Sequence, residues 1–85
     1  MPRVVIYSTR VCPYCVAAKE LLRRKGVAFE EVDVTDQSEA RAKLRERTGR
    51  ATVPQIFIGE THVGGYDDLR ALDHQGKLDP LLAAS

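Results

Sequence analysis

Hydrophobic and polar positions along the chain switch between a period of two and a period near 3.6. Val4-Val5-Ile6-Tyr7 is a β-branched and aromatic run closed by Ser8-Thr9-Arg10, which predicts a buried strand. After Pro13, the positions Cys15, Ala18, Leu21, Leu22 and Lys25 recur at i, i+3 and i+4 spacing up to Gly26, which predicts a helix with a glycine stop. Pro13 suits the first helical position, where its missing N–H would have no partner anyway. Cys12 then falls at the N-cap and Cys15 one turn inside. Residues Val27 to Val34, with Phe29, Val32 and Val34 alternating, predict a second strand, parallel to the first across a short right-handed crossover.

Asp36 to Thr48 is highly charged, with Ala40 and Leu44 as a thin apolar seam and Gly49 as its stop. Asp36 and Glu39, three apart at its start, predict a capping box with Asp in place of Ser. Pro54 to Ile58 and Thr61 to Val63 flank Gly59-Glu60, the pattern of a tight hairpin. A helix over Asp67 to His74 carries Leu69 and Leu72, Gly76 breaks it, and Leu78, Leu81 and Leu82 form a terminal amphipathic segment. The order β-α-β-α-β-β-α predicts a three-layer α/β sandwich on a mixed four-stranded sheet.

Composition narrows the function classes. Eighty-five residues predict one domain over 1–85, with 44% apolar and 29% charged residues, the profile of a globular protein. A net charge of +1 argues against a nucleic-acid footprint, which needs a one-sided basic excess. The opening MPRVVIYS lacks the roughly 7–15-residue apolar stretch of a signal peptide, and no run approaches the ~20 residues of a membrane span. The chain is expected to be cytoplasmic and monomeric, with no membrane partner.

The only two cysteines stand in CPYC, residues 12 to 15. A permanent staple fits poorly, because the cytosol keeps ordinary thiols reduced and so small a loop constrains the unfolded chain little. Cysteines three apart on a first helical turn share a face and approach the ~5.5 Å Cα separation that a disulfide prefers. The unpaired N–H groups and the positive end of the helix dipole favour a thiolate on Cys12. An ordinary cysteine has a pKa of ~8.5, and motifs of this kind lower it. Cys12 is therefore the expected nucleophile and Cys15 the resolving thiol. Arg10 either adds positive potential beside Cys12 or is a solvated loop charge. A metal centre is disfavoured, since one C-x-x-C offers two of the four ligands structural zinc needs. His62 and His74, twelve apart, match no zinc spacing and read as a strand-exposed residue and a helix-end residue.

A C-x-x-C that follows a strand and opens a helix suggests a thioredoxin-like redox site. CPYC, then Thr52-Val53-Pro54 before a strand, then Gly64-Gly65-Tyr66-Asp67-Asp68 opening a helix, together resemble the dithiol glutaredoxins over nearly the whole chain, including VPQIFIG and the closing LDPLL. Thioredoxin itself fits less well, because the tryptophan usual before its cysteine pair is absent. The resemblance implies glutathione as co-substrate, with no bound cofactor and no metal. It implies that the Tyr14 ring flanks the bound sulfur. It implies too that Val53-Pro54 carries a cis peptide, with Thr52, Val53 and Pro54 forming an edge on which glutathione pairs as a short added strand. Gly65 would allow close approach of the ligand. The amides of Tyr66 and Asp67 would take its carboxylate, and Asp67 and Asp68 its amino group, although acids suit a helix start on their own account.

Two positions depart from the pattern. Many glutaredoxins place a lysine three residues before the first cysteine; here Thr9 stands there with Arg10 beside it, so Arg10 is the candidate substitute. Tyr66 follows the glycine pair where a smaller residue is expected, and its ring would narrow or cover the groove. The cluster Arg41, Lys43, Arg45, Arg47 and Arg50 is a further source of positive charge, against the plainer reading of a solvated helix face. The resemblance therefore implies a glutathione-dependent reductase of protein disulfides and protein–glutathione mixed disulfides, with ribonucleotide reductase among the candidate clients. The alternatives are a redoxin coupled to thioredoxin reductase and, in another class, an iron–sulfur cluster carrier.

Overall fold

The β-branched run at the N-terminus forms β1 (Val4–Ser8), and the computed structural model, which describes residues 2–84, continues from it through α1 (Pro13–Arg24) and β2 (Glu30–Asp33). Next come α2 (Ser38–Thr48), β3 (Gln55–Ile58), β4 (Thr61–Gly64), α3 (Tyr66–His74) and α4 (Leu78–Ala83). Among the described residues the strands make one mixed sheet in the order β2-β1-β3-β4. β1 runs parallel to β2, with Val5 opposite Glu30, and antiparallel to β3, with Val4 opposite Ile58. β3 and β4 are antiparallel across the Gly59-Glu60 turn, where Gly59 takes φ +60, a conformation that costs glycine little.

Alternation along β1 and β3 divides the side chains between two layers. Val4, Ile6, Ile56 and Ile58 are buried in one cluster with Ala18, Leu21 and Leu22 of α1, Leu69 of α3, and Leu78 and Leu82 of α4. On the other face Tyr7 meets Phe57 edge-on at 5.8 Å, and the Arg47 guanidinium of α2 lies 4.1 Å above the Phe57 ring. The sheet is thus covered on both sides. The thioredoxin-like sandwich expected from the pattern is the fold observed.

Three local expectations changed. β2 is shorter than the run from Val27 to Val34 because it is an edge strand, largely exposed on both faces, while the buried Val27 and Val34 lie just outside it. The Asp36–Glu39 capping box does not form: α2 starts after Gln37, which makes no side-chain cap bond, and the Asp36 carboxylate pairs with Arg10 instead. The terminal amphipathic segment is a separate helix, α4. Gly76, at φ +71, turns the chain after α3, and Leu78 and Leu82, one turn apart, bury against the core. Lys25 at the end of α1 binds Asp73 of α3 at 2.6 Å and Asp79 of α4 at 3.0 Å, so one cation ties three helices together.

Candidate active site

Cys12 holds the N-cap of α1 with extended backbone, φ −152 and ψ 95, and its sulfur takes the place of the usual capping oxygen. The Cys15 N–H donates to Cys12 Sγ across 3.1 Å. The two sulfurs are joined as a disulfide with the Cα atoms 5.2 Å apart. Exposure separates them: Cys12 keeps 8% of its surface open and Cys15 only 1%. A reactant arriving from solvent meets Cys12, and Cys15 lies behind it.

Beside the pair opens a cleft of about 250 Å³ lined by Tyr14, Arg50, Thr52, Val53, Pro54, Gly65, Tyr66, Asp67 and Asp68. The chain thus brings together residues from the start of α1, the loop before β3 and the start of α3. Cys12 Sγ lies 3.8 Å from the Val53 carbonyl oxygen. Among the described residues the one cis peptide bond is Val53–Pro54. Tyr14 is 63% exposed, and its ring faces that of Tyr66 with centroids 6.4 Å apart. Tyr66 also packs partly against the core, so its ring forms a side of the cleft.

Arg10 stands apart from this group. Its N–H donates to Thr35 Oγ1 at 2.9 Å and its guanidinium pairs with Asp36 at 2.8 Å, both in the loop between β2 and α2. The cation that does line the cleft is Arg50, which the sequence pattern had grouped with the basic run of α2. Arg50 pairs with Asp68 at 2.6 Å, and Asp68 also accepts the Gly65 N–H at 2.9 Å. The Arg50 guanidinium, and after it the Gly65 N–H, hold the Asp68 carboxyl below the usual carboxylate range. Sequence spacing gave no sign of this pair, since it depends on how the loop after α2 folds back on α3.

The two glycines beside the site differ in what their backbones require. Gly64 takes φ +113, and a Cβ there would collide with the Asp68 carboxylate and stand 2.9 Å from an Arg50 nitrogen. Gly65 takes φ −92, open to any residue, and a Cβ there would reach only ordinary contact with the Pro54 carbonyl at 3.5 Å. Its bareness keeps that side of the cleft wide.

His62, expected on an exposed strand face, is half-buried. Its ring stacks near Phe57 at 5.0 Å, and its Nε2 lies 2.7 Å from Gln55 Oε1. Burial, and secondarily the Arg50 charge, push its pKa down from the ordinary imidazole value. Among the described residues no group of three or more His, Cys, Asp or Glu side chains gathers as a metal site would require, and no helix is long and apolar enough to cross a membrane.

Known proteins resemble this chain over nearly its whole length. The sequence model of the glutaredoxin family matches residues 4–63. A glutaredoxin of Pseudomonas aeruginosa is 61% identical over 84 residues, covering 99% of this chain and all of the relative. Glutaredoxin 3 of Escherichia coli is 52% identical over 82 residues, covering 96% of this chain and 99% of the relative. Among solved structures, the buckwheat glutaredoxin–glutathione complex superposes with a TM-score of 0.89 at 33% identity, covering 95% of this chain and 76% of that one. Because the likeness runs through the cysteine pair and almost from end to end, the chain belongs to the glutaredoxin family and is a thiol–disulfide oxidoreductase.

Proposed function

We propose that the protein reduces protein disulfides and protein–glutathione mixed disulfides with glutathione as electron donor. The observation that carries this reading is the cleft itself: its walls converge beside Cys12, the outer of the two sulfurs, and combine a backbone edge at Val53 with charged groups of both signs. A γ-glutamyl tripeptide has the matching parts, an extended backbone and two carboxylates with one ammonium.

In the reduced protein, the Cys12 thiolate attacks the mixed or protein disulfide, forms a new S–S bond and expels the client thiolate. For a protein disulfide, Cys15 then attacks Cys12, frees the client's second thiol and leaves the Cys12–Cys15 bridge. One glutathione thiolate opens that bridge at Cys12. A second takes the bound glutathione as glutathione disulfide and returns the dithiol. Two electrons pass from two glutathiones to one disulfide. Deglutathionylation needs Cys12 alone.

The Val53 N–H and C=O pair with the ligand backbone, and Tyr14 and Tyr66 flank its sulfur. The first-turn amides of Tyr66 and Asp67 receive one carboxylate, since helix-start N–H groups lack intrahelical acceptors. Asp67 and Asp68 face the ammonium. Arg50, with five guanidinium donors of which Asp68 occupies one, replaces Arg10 as the cation for the remaining carboxylate. Such a cycle suits a cytoplasmic setting, where glutathione stays reduced.

The deciding experiment compares donors on the wild-type protein. Turnover is expected with NADPH, glutathione reductase and glutathione, and not with NADPH and thioredoxin reductase alone. Equal or faster turnover with thioredoxin reductase would overturn the assignment.

A further inference from the structure

Directly beneath the cleft edge lies a polar chain that the reaction above does not use. Gln55, the first residue of β3, has no exposed surface. Its Nε2 donates to the Thr52 carbonyl oxygen at 3.0 Å and approaches Thr52 Oγ1 at 3.4 Å, while its Oε1 meets His62 Nε2 at 2.7 Å. A buried amide with both ends occupied is costly to disturb, because each freed group loses a partner that water cannot replace.

The bonding fixes its own direction. The Thr52 carbonyl can only accept, so the NH2 end of Gln55 must face it. The Oε1 end then faces His62, whose Nε2 must carry the hydrogen; the neutral Nε2–H tautomer and the imidazolium both satisfy this. Donation therefore runs one way, from His62 to Gln55 to Thr52.

That carbonyl shares a peptide plane with the Val53 N–H. In a trans peptide the C=O and N–H point in opposite directions, and Thr52–Val53 is not the cis bond of this loop. Holding the Thr52 oxygen inward, onto a fully buried amide, turns the Val53 N–H outward on the side where Val53 lines the cleft. Among the described residues that N–H has no backbone acceptor of its own. We propose that Gln55 and His62 are positioning residues: through the Thr52–Val53 peptide they aim the N–H that pairs with the backbone of the incoming glutathione. The proposal rests on the glutathione reading given above.

The test is Gln55→Leu, which keeps most of the buried volume and removes both ends of the chain. In deglutathionylation of a glutathionylated peptide, the KM for glutathione is expected to rise about tenfold, the loss of one well-aimed hydrogen bond, with kcat little changed. Alkylation of Cys12 by iodoacetamide, which depends on the Cys15 amide beside its sulfur and not on the direction of the Val53 N–H, should keep its wild-type rate. In ¹⁵N-labelled protein the Val53 amide should shift more than its neighbours on α3. A KM within about twofold of wild type, in a variant whose amide spectrum is that of a folded protein, overturns the positioning role. So does a rise in KM accompanied by parallel losses of kcat and alkylation, which would mark a general collapse. Should Gln55→Leu not fold, His62→Phe keeps the ring against Phe57 but cannot donate. It should raise the KM about threefold by letting the Gln55 amide turn, and an unchanged KM there counts equally against the proposal. Wild type that does not turn over with glutathione removes the glutathione reading and this one with it. Wild-type turnover with unaltered variants removes only this one.

Discussion

The Cys15 amide N–H donates to the Cys12 sulfur across 3.1 Å, so the backbone of the second cysteine solvates the first. The contact is a consequence of spacing. A residue at the N-cap of a helix faces first-turn N–H groups that have no intrahelical acceptors, and CPYC, with Pro13 lacking an N–H at the first position, puts its second cysteine at the third position of that turn. The same spacing turns Cys15 inward until it is 1% exposed. One motif thus supplies an accessible, stabilised sulfur and a shielded one behind it.

The two cysteines should separate cleanly under mutation. Cys12→Ser is expected to abolish both reduction of a protein disulfide and deglutathionylation, by a factor of at least about 10³, because the attacking thiolate is gone. Cys15→Ser should lose the first activity and keep the second. Parallel assays with an inter-chain disulfide substrate and a glutathionylated peptide read the split, and equal losses in both variants would reverse the assignment of roles.

The two arginines that are candidates for the cation at the site should also behave differently. Arg50 lines the cleft and Arg10 is engaged with Thr35 and Asp36. Arg50→Ala is expected to raise the KM for glutathione about tenfold or more, the scale of a hydrogen bond to a charged group. Arg10→Ala breaks only an exposed ion pair and should change the KM less than about twofold. Steady-state kinetics on both variants decides it, and a larger effect at Arg10 would restore that residue to the binding site.

Much of this was legible in the sequence, for reasons that differ from residue to residue. The β1–α1–β2 unit and the hairpin announce themselves through local periodicity and turn chemistry, which depend on neighbours in the chain. Cys12 and Cys15 are legible because their inequality is a property of one helical turn. TVP and GGYDD are legible by resemblance, and the structure brings them to one cleft with Tyr14. What could not be read was set by contacts between distant segments. Asp36 looked like a cap because its nearest partner in sequence is Glu39, but its partner in space is Arg10, 26 residues away. Arg50 looked like part of a solvated helix face because nothing local shows the loop folding back onto Asp68. His62 looked like a strand position near solvent, and only the register of β3 with β4 shows it sharing a covered face with Gln55.

Gly64 carries a requirement that Gly65 does not. Gly64→Ala places a Cβ at φ +113 against the Asp68–Arg50 pair, and the strain is expected to cost about 1–3 kcal/mol. For a domain of this size that lowers Tm by roughly 4–8 °C per kcal/mol. Gly65→Ala should leave Tm nearly unchanged and act on the cleft alone, raising the KM for glutathione. Thermal unfolding followed by circular dichroism distinguishes the two, and equal Tm losses would refute the distinction.

Asp68 should leave a pH signature in stability. Its carboxyl is held below the usual range by Arg50 and then by the Gly65 N–H, so the folded protein binds a proton there less readily than the unfolded chain does. A depressed folded value means the stabilisation is fully present above the unfolded value of ~3.9 and disappears as pH falls through the lower, folded one. The pair is close to half exposed, so after allowance for solvent screening its contribution is about 0.5–1 kcal/mol. Asp68→Asn, which can still accept the Gly65 N–H, should therefore melt a few degrees below wild type at neutral pH. The difference should close as the pH drops below about 4, and shrink in high salt. Melting curves of both proteins across that range check the prediction, and a gap that persisted or widened in acid would show that the charge on Asp68 is not what stabilises the start of α3.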